Sequence, residues 1–146
     1  MVEIKRTGEG VWNGGLRGGT GQVSSASGVL SDTPYSFGTR FEQEPGTNPE
    51  ELIAAAHAAC YSMAFAATLE RQGYQPQQIR TRAICSLTPQ ETGGFKITKM
   101  RLETRGRVEG LDEATFKRIA QEAEAGCPVS NALRGSLEIE LDAALM

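Results

Sequence analysis

Residues 48–73 read NPEELIAAAHAACYSMAFAATLERQG, and this stretch decides the fold. Asn48 is a good helix cap, Pro49 suits the first helical position, and Glu50 and Glu51 face the positive end of the macrodipole. The pattern predicts one helix running to about Gln72 and stopped by Gly73, roughly 24 residues and ~36 Å long. Between Leu52 and Leu69 no side chain carries a formal charge, so the segment touches the lower length limit for a membrane span. Its composition argues against one. Leu52, Ile53, Phe65 and Leu69 are the strong inserters, eight alanines contribute little, and His57, Ser62 and Thr68 oppose insertion. A helix that is apolar or small on every face is expected to be buried all round. A chain of 146 residues has little with which to cover it, so the helix is expected to pack against its own copy in a homodimer.

Working outward, Arg80 to Leu87 alternates and puts Ala83, Cys85 and Leu87 on one strand face. Residues 88–94 turn the chain, and Phe95 to Val108 reads as the return strand. Its phase slips between Ile97 and Met100, as at a β-bulge. Asp112 caps a second helix whose stripe is Phe116, Ile119, Ala120 and Ala123, with Gly126 at its end. Pro128 opens a short helix through Leu133, and Leu137, Ile139, Leu141 and Ala143 alternate in a half-exposed strand. Toward the N-terminus, Asn13-Gly14 is a hairpin signal joining Val11-Trp12 to Val23-Ser24, with Tyr35-Ser36-Phe37 a third strand. The glycines of this region lead into a strand and not into a helix N-terminus, which favours turns over a phosphate cradle. The order ββ(β)αββαβ describes an α+β fold of mainly antiparallel strands around helices, one domain over residues 1–146.

Fifteen Lys and Arg against eighteen Asp and Glu give a net charge of −3. No basic face for nucleic acid and no polybasic handle for a membrane are expected. Three cysteines are too few for a disulfide scaffold, and no apolar run follows the charges at the N-terminus, so a cytoplasmic protein is expected. Cys85 reads as core. Cys60, in mid-helix, fits either a small buried hydrophobe or a reactive thiol. Cys127 directly precedes Pro128, at a helix mouth that favours thiolate. His57 shares a helical face with Cys60 and fits a packing residue, a metal ligand or a base. No C-x-x-C spacing supports zinc.

Two longer motifs carry a resemblance. Pro34-Tyr35-Ser36-Phe37-Gly38-Thr39-Arg40-Phe41, then Gly46 through Cys60, resemble the OsmC branch of the OsmC/Ohr family, and Ala125-Gly126-Cys127-Pro128-Val129-Ser130 matches its second cysteine motif. The Ohr branch has an aromatic where His57 stands and uses an arginine of the N-terminal glycine loop. Arg17 occupies that loop here, but Arg40 fits the OsmC pattern. The resemblance implies an intertwined homodimer of antiparallel β-sheets wrapped around two long central helices, with active sites at the subunit interface. It implies a thiol peroxidase for organic hydroperoxides, and less efficiently hydrogen peroxide. Cys60 is then the peroxidatic residue, Cys127 the resolving one, and Arg40 and Glu50 organise the thiolate. No metal, haem, flavin or other cofactor is implied, and family members are recycled by small or lipoyl-bearing dithiols.

The chemistry is consistent with these residue types. A cysteine of ordinary pKa, ~8.5, is only a few per cent thiolate at neutral pH, and burial makes ionisation harder. Mid-helix, Cys60 gains nothing from the dipole, so a nearby cation is required. Arginine keeps its charge when desolvated, and a carboxylate such as Glu50 can hold it bidentately. Glu50 and Cys60 stand about 15 Å apart along one helix, so an antiparallel copy is expected to bring Arg40 and Glu50 of one chain to Cys60 of the other. Two rival readings stand beside this one: a cysteine hydrolase using Cys60 and His57, and a dimeric small-molecule binding module whose thiols only pack.

Overall fold

Gly14 takes a positive φ of 91°, and the turn it opens joins β1 (Gly8–Asn13) to β2 (Thr20–Ser25) in antiparallel register, with Trp12 opposite Gly21. β3 (Thr33–Tyr35) pairs with β2 and completes a three-stranded sheet in the order β1-β2-β3. A Cβ on Gly21 would lie 2.6 Å from the Tyr35 ring and 2.7 Å from that of Trp12, so only glycine lets these two aromatics close over the strand. The third strand stops short of its expected end. Ser36 and Thr39 form a capping box, each side chain accepting the other's backbone N–H at 3.2 and 2.9 Å, and Phe37 begins a short helix, α1 (Phe37–Phe41).

The computed structural model describes residues 1–146 and divides them into two units, Met1–Pro49 and Glu50–Met146. The second opens with α2 (Pro49–Arg71), which ends ahead of Gly73 at a φ of 90°. Within one chain α2 is buried on one side only. His57, Tyr61, Phe65, Thr68 and Leu69 face inward, whereas Ala55, Ala56 and Ala59 are exposed and Met63 is 76% exposed. The expectation of burial on every face is therefore not met by the chain itself, because its other elements cover a single side.

β4 (Pro76–Pro89) and β5 (Phe95–Val108) form a long antiparallel hairpin. Ser86 pairs with Lys99 but Leu87 with Ile97, which leaves Thr98 as a bulge inside the expected window. Asp112 caps α3 (Glu113–Gly126) by accepting the Thr115 N–H at 2.8 Å, and α4 (Pro128–Leu133) follows at once. β6 (Glu138–Leu145) then lies beside β5, Met100 opposite Ile139 and Leu102 opposite Leu141. This pairing is parallel while the other three are antiparallel, so the mainly antiparallel arrangement holds but sheets that are antiparallel throughout do not. Alternating residues fix which face of a strand is buried but not its direction, and the helical crossover returns the chain to the starting end of β5.

The core lies between the three elements. Tyr61, Phe65 and Leu69 of α2 join Met100 and Leu102 of β5 and Phe116, Ile119, Ala120 and Ala123 of α3. The Phe65 and Phe116 rings sit 4.9 Å apart, and the Tyr61 hydroxyl donates to the Ala120 carbonyl at 2.9 Å. Phe116 lies flush on β5 because Gly106 carries no side chain, a Cβ there falling 2.5 Å from the ring. This packing fixes α2 against the α3–α4 corner.

Candidate active site

Cys127 is the residue that ends α3 and caps α4. Its Sγ lies 3.5 Å from Cys60 Sγ on α2, and both are free thiols. A disulfide requires about 2.05 Å between sulfurs, so bonding them takes a contraction of about 1.5 Å. The first turn of α4 serves both. Ser130 N–H donates to Cys127 Sγ at 3.5 Å, and the Val129 N–H favours the ionised form of Cys60. Pro128 has no N–H to offer, so the amides of Val129 and Ser130 are the first available at this helix start.

Electrostatically the site resists ionisation. Burial pushes the Cys60 thiol up, the Val129 N–H partly opposes this, and the neighbouring Cys127 adds to the rise. Cys60 opens on a cavity of about 350 Å³ that Met63, Ala64, Ala67, Arg71 and Pro128 also line. Met63 thus belongs to its wall, whereas Tyr61 and Phe65 belong to the core.

His57 does not meet Cys60. It is fully buried, its Nε2 is hydrogen-bonded to Ser130 Oγ at 2.7 Å, and its Nδ1 has no partner. Burial lowers its pKa against the pull of Glu124, which keeps the ring neutral near physiological pH. The hydrolase reading needs a His–Cys contact and loses it here. Cys85 packs half-buried against the core from β4, its thiol pushed up by burial and then by the charge of Glu50.

The remaining predicted residues stand elsewhere. Glu50 is buried in the first turn of α2, three turns before Cys60. Arg40 belongs to α1 in the N-terminal unit, its guanidinium 5.1 Å from the Phe41 ring centre, and Arg17 stacks similarly over Phe37 at 4.5 Å. Arg40, Trp12, Leu16, Tyr35 and Phe37 line a cavity of about 210 Å³ in that unit. The structure thus brings Cys60 and Cys127 together within the second unit, whereas Arg40 belongs to the first. Sequence reasoning missed the roles of Val129 and Ser130. The Cys127-Pro128 cap was the signal, since a proline at the first helical position leaves the next two amides to be satisfied.

Comparison with known proteins agrees over nearly the whole length. The OsmC-like protein family matches residues 41–142. A stretch of 141 residues is 50% identical to Peroxiredoxin OsmC of Escherichia coli strain K12, covering 97% of this chain and 96% of that one. The crystal structure of the organic hydroperoxide resistance protein OhrB of Bacillus subtilis superposes with a TM-score of 0.74 at 29% identity, over 94% of this chain and 97% of that one. An OsmC-like protein from Mycoplasma pneumoniae shares the fold at a TM-score of 0.76 and 16% identity, over 99% of each chain.

Proposed function

The chain belongs to the OsmC-like protein family, and from that premise we propose that it reduces organic hydroperoxides to alcohols at Cys60. It is a thiol-dependent peroxidase, and hydrogen peroxide is the poorer substrate. The Cys60 thiolate attacks the distal peroxide oxygen, the O–O bond breaks, and the alkoxide takes a proton and leaves as the alcohol. Cys60 is left as a sulfenic acid. The Cys127 thiolate then attacks that sulfur, forming the disulfide and releasing hydroxide, which a proton converts to water. An external dithiol, small or lipoyl-bearing, reduces the disulfide by exchange and is itself oxidised. The observation that carries this reading is the 3.5 Å separation of the two sulfurs, with the Ser130 amide holding that of Cys127.

Arg40 supplies the missing cation. Lowering the pKa of Cys60 by about two units takes ~2.7 kcal/mol of preferential anion stabilisation, which buried surroundings oppose. Glu50 orients the guanidinium, and the pair acts on Cys60 of a second copy in a homodimer built on α2. The exposed alanines Ala55, Ala56 and Ala59, with the exposed apolar Met63 beside them, support that packing, since helices approach closely over alanine. α2 is then a core helix of one OsmC/Ohr-like domain spanning residues 1–146, and the dithiol-dependent cycle suits the reducing cytoplasm.

Treating the reduced protein with cumene hydroperoxide and following it by stopped flow and non-reducing mass spectrometry tests the chemistry. Loss of two thiols with a Cys60–Cys127 link is expected, and Cys60→Ser abolishes turnover. Slow oxidation without that link, as a binding module with incidental thiols would show, sinks the reading. For the shared site, mixing a Cys60→Ser chain with an Arg40→Ala chain should restore activity in heterodimers.

A further inference from the structure

Four side chains close a ring at the α2–α4 contact. His57 and Cys60 stand three residues apart on α2, and Cys127 and Ser130 three residues apart at the start of α4. Cys60 faces Cys127 across a 3.5 Å gap, and His57 faces Ser130 across a 2.7 Å hydrogen bond. We propose that His57 and Ser130 are a positioning pair for disulfide closure, pinning the first turn of α4 to α2 so that Cys127 Sγ stays within reach of the Cys60 sulfenic acid. The inference rests on the peroxidase reading above and assigns the pair to its second step.

Three observations support it. First, the bond is fully buried, where a short polar contact is stronger and better directed than at the surface. Second, Ser130 ties both ends together: its Oγ holds His57 while its N–H donates to Cys127 Sγ, so a shift of the serine moves the sulfur with it. Third, His57 carries an unpartnered buried Nδ1, a cost that an alanine or leucine in this alanine-rich helix would avoid. The tautomer with Nε2–H donating to Ser130 Oγ leaves only a lone pair unpaired at Nδ1. Closure contracts the sulfurs by about 1.5 Å, and with the backbone pinned at Ser130 the approach falls to rotation of the two cysteine side chains.

The test separates the two steps. The rate of Cys60 sulfenic acid formation is measured by stopped flow with cumene hydroperoxide. The rate of Cys60–Cys127 closure is followed by quenched mass spectrometry on the full-length protein. In His57→Leu and in Ser130→Ala, the ratio of closure to sulfenic acid formation is expected to fall at least about tenfold, a part of the roughly 100-fold that an ångström of misplacement can cost. Cys60 sulfinic acid then accumulates at excess peroxide. His57→Gln, which keeps a donor near Nε2, should recover most of the ratio, and the double variant should be no worse than either single one. Ser130→Ala removes a single oxygen and serves if His57→Leu does not fold. Unchanged ratios, glutamine behaving like leucine, or additive losses overturn the inference alone. A parent protein that forms no Cys60–Cys127 disulfide overturns the peroxidase reading with it.

Discussion

The two units of the chain differ sharply in what they bury. In Met1–Pro49 the only buried residues are glycines, Gly21 and Gly38, and apolar side chains such as Leu16 and Val29 are 63% and 85% exposed. Glu50–Met146 holds the whole apolar core, from Tyr61 to Ala143, together with both facing sulfurs. Chemistry divides along the same line. In the second unit burial and the neighbouring Cys127 raise the pKa of Cys60 against the Val129 N–H, and the first carries guanidiniums stacked on phenylalanine rings. One unit is a scaffold that makes its own core. The other is a three-stranded sheet and short helix with no apolar core of its own.

Three measurements test this division. The largest effect is expected at Phe116→Ala, which empties the space against Phe65 and Gly106 and should destabilise the protein by about 3–5 kcal/mol in urea unfolding. A loss under about 1 kcal/mol would mean the second unit does not depend on this packing. Next comes the charge in the first unit. On the role proposed for Arg40, Arg40→Lys should lower kcat/KM about 100-fold, since an ammonium lacks the fixed fork with which a guanidinium would meet both a carboxylate and the peroxide oxygens. Arg17→Ala should cost far less, and a loss larger than that of Arg40→Lys would show that the glycine loop supplies the cation instead.

The smallest effect is a pH dependence in the second unit. Burial holds His57 below its usual 6.5 when folded, whereas unfolded it titrates near that value. Between the two, the unfolded chain binds the extra proton, so stability is complete above about pH 6.5 and falls as the pH drops toward the folded value. Urea midpoints compared at about pH 7.5 and about pH 5.5 should differ less in His57→Gln than in the parent. Equal differences in the two proteins would assign the loss to carboxylates.

Much of this was legible in the sequence, for local reasons. The 48–73 helix, the Asp112 cap, the Pro128 start and the bulge at Thr98 all follow from residues within a turn or two of each other. Long-range facts were not. The short helix at Phe37 is too brief to show periodicity, although Ser36 and Thr39 carried its capping signal. The direction of β6 depends on where the crossover delivers it. The family motifs named Cys60 and Cys127. Nothing local links His57 to Ser130, 73 residues away, because that pairing exists only once α3 has folded back over α2.

The parallel seating of β6 also bears on how the chain reaches its native state. β4 and β5 are joined by a short turn and zip locally, whereas Leu102 meets Leu141 only after both crossover helices have formed and docked. Contacts so distant in sequence carry a loop-closure entropy that local ones do not, and they slow folding. Completion of the second sheet is therefore expected to be a late event on the pathway. Substitutions along the β5–β6 seam should speed unfolding more than they retard refolding.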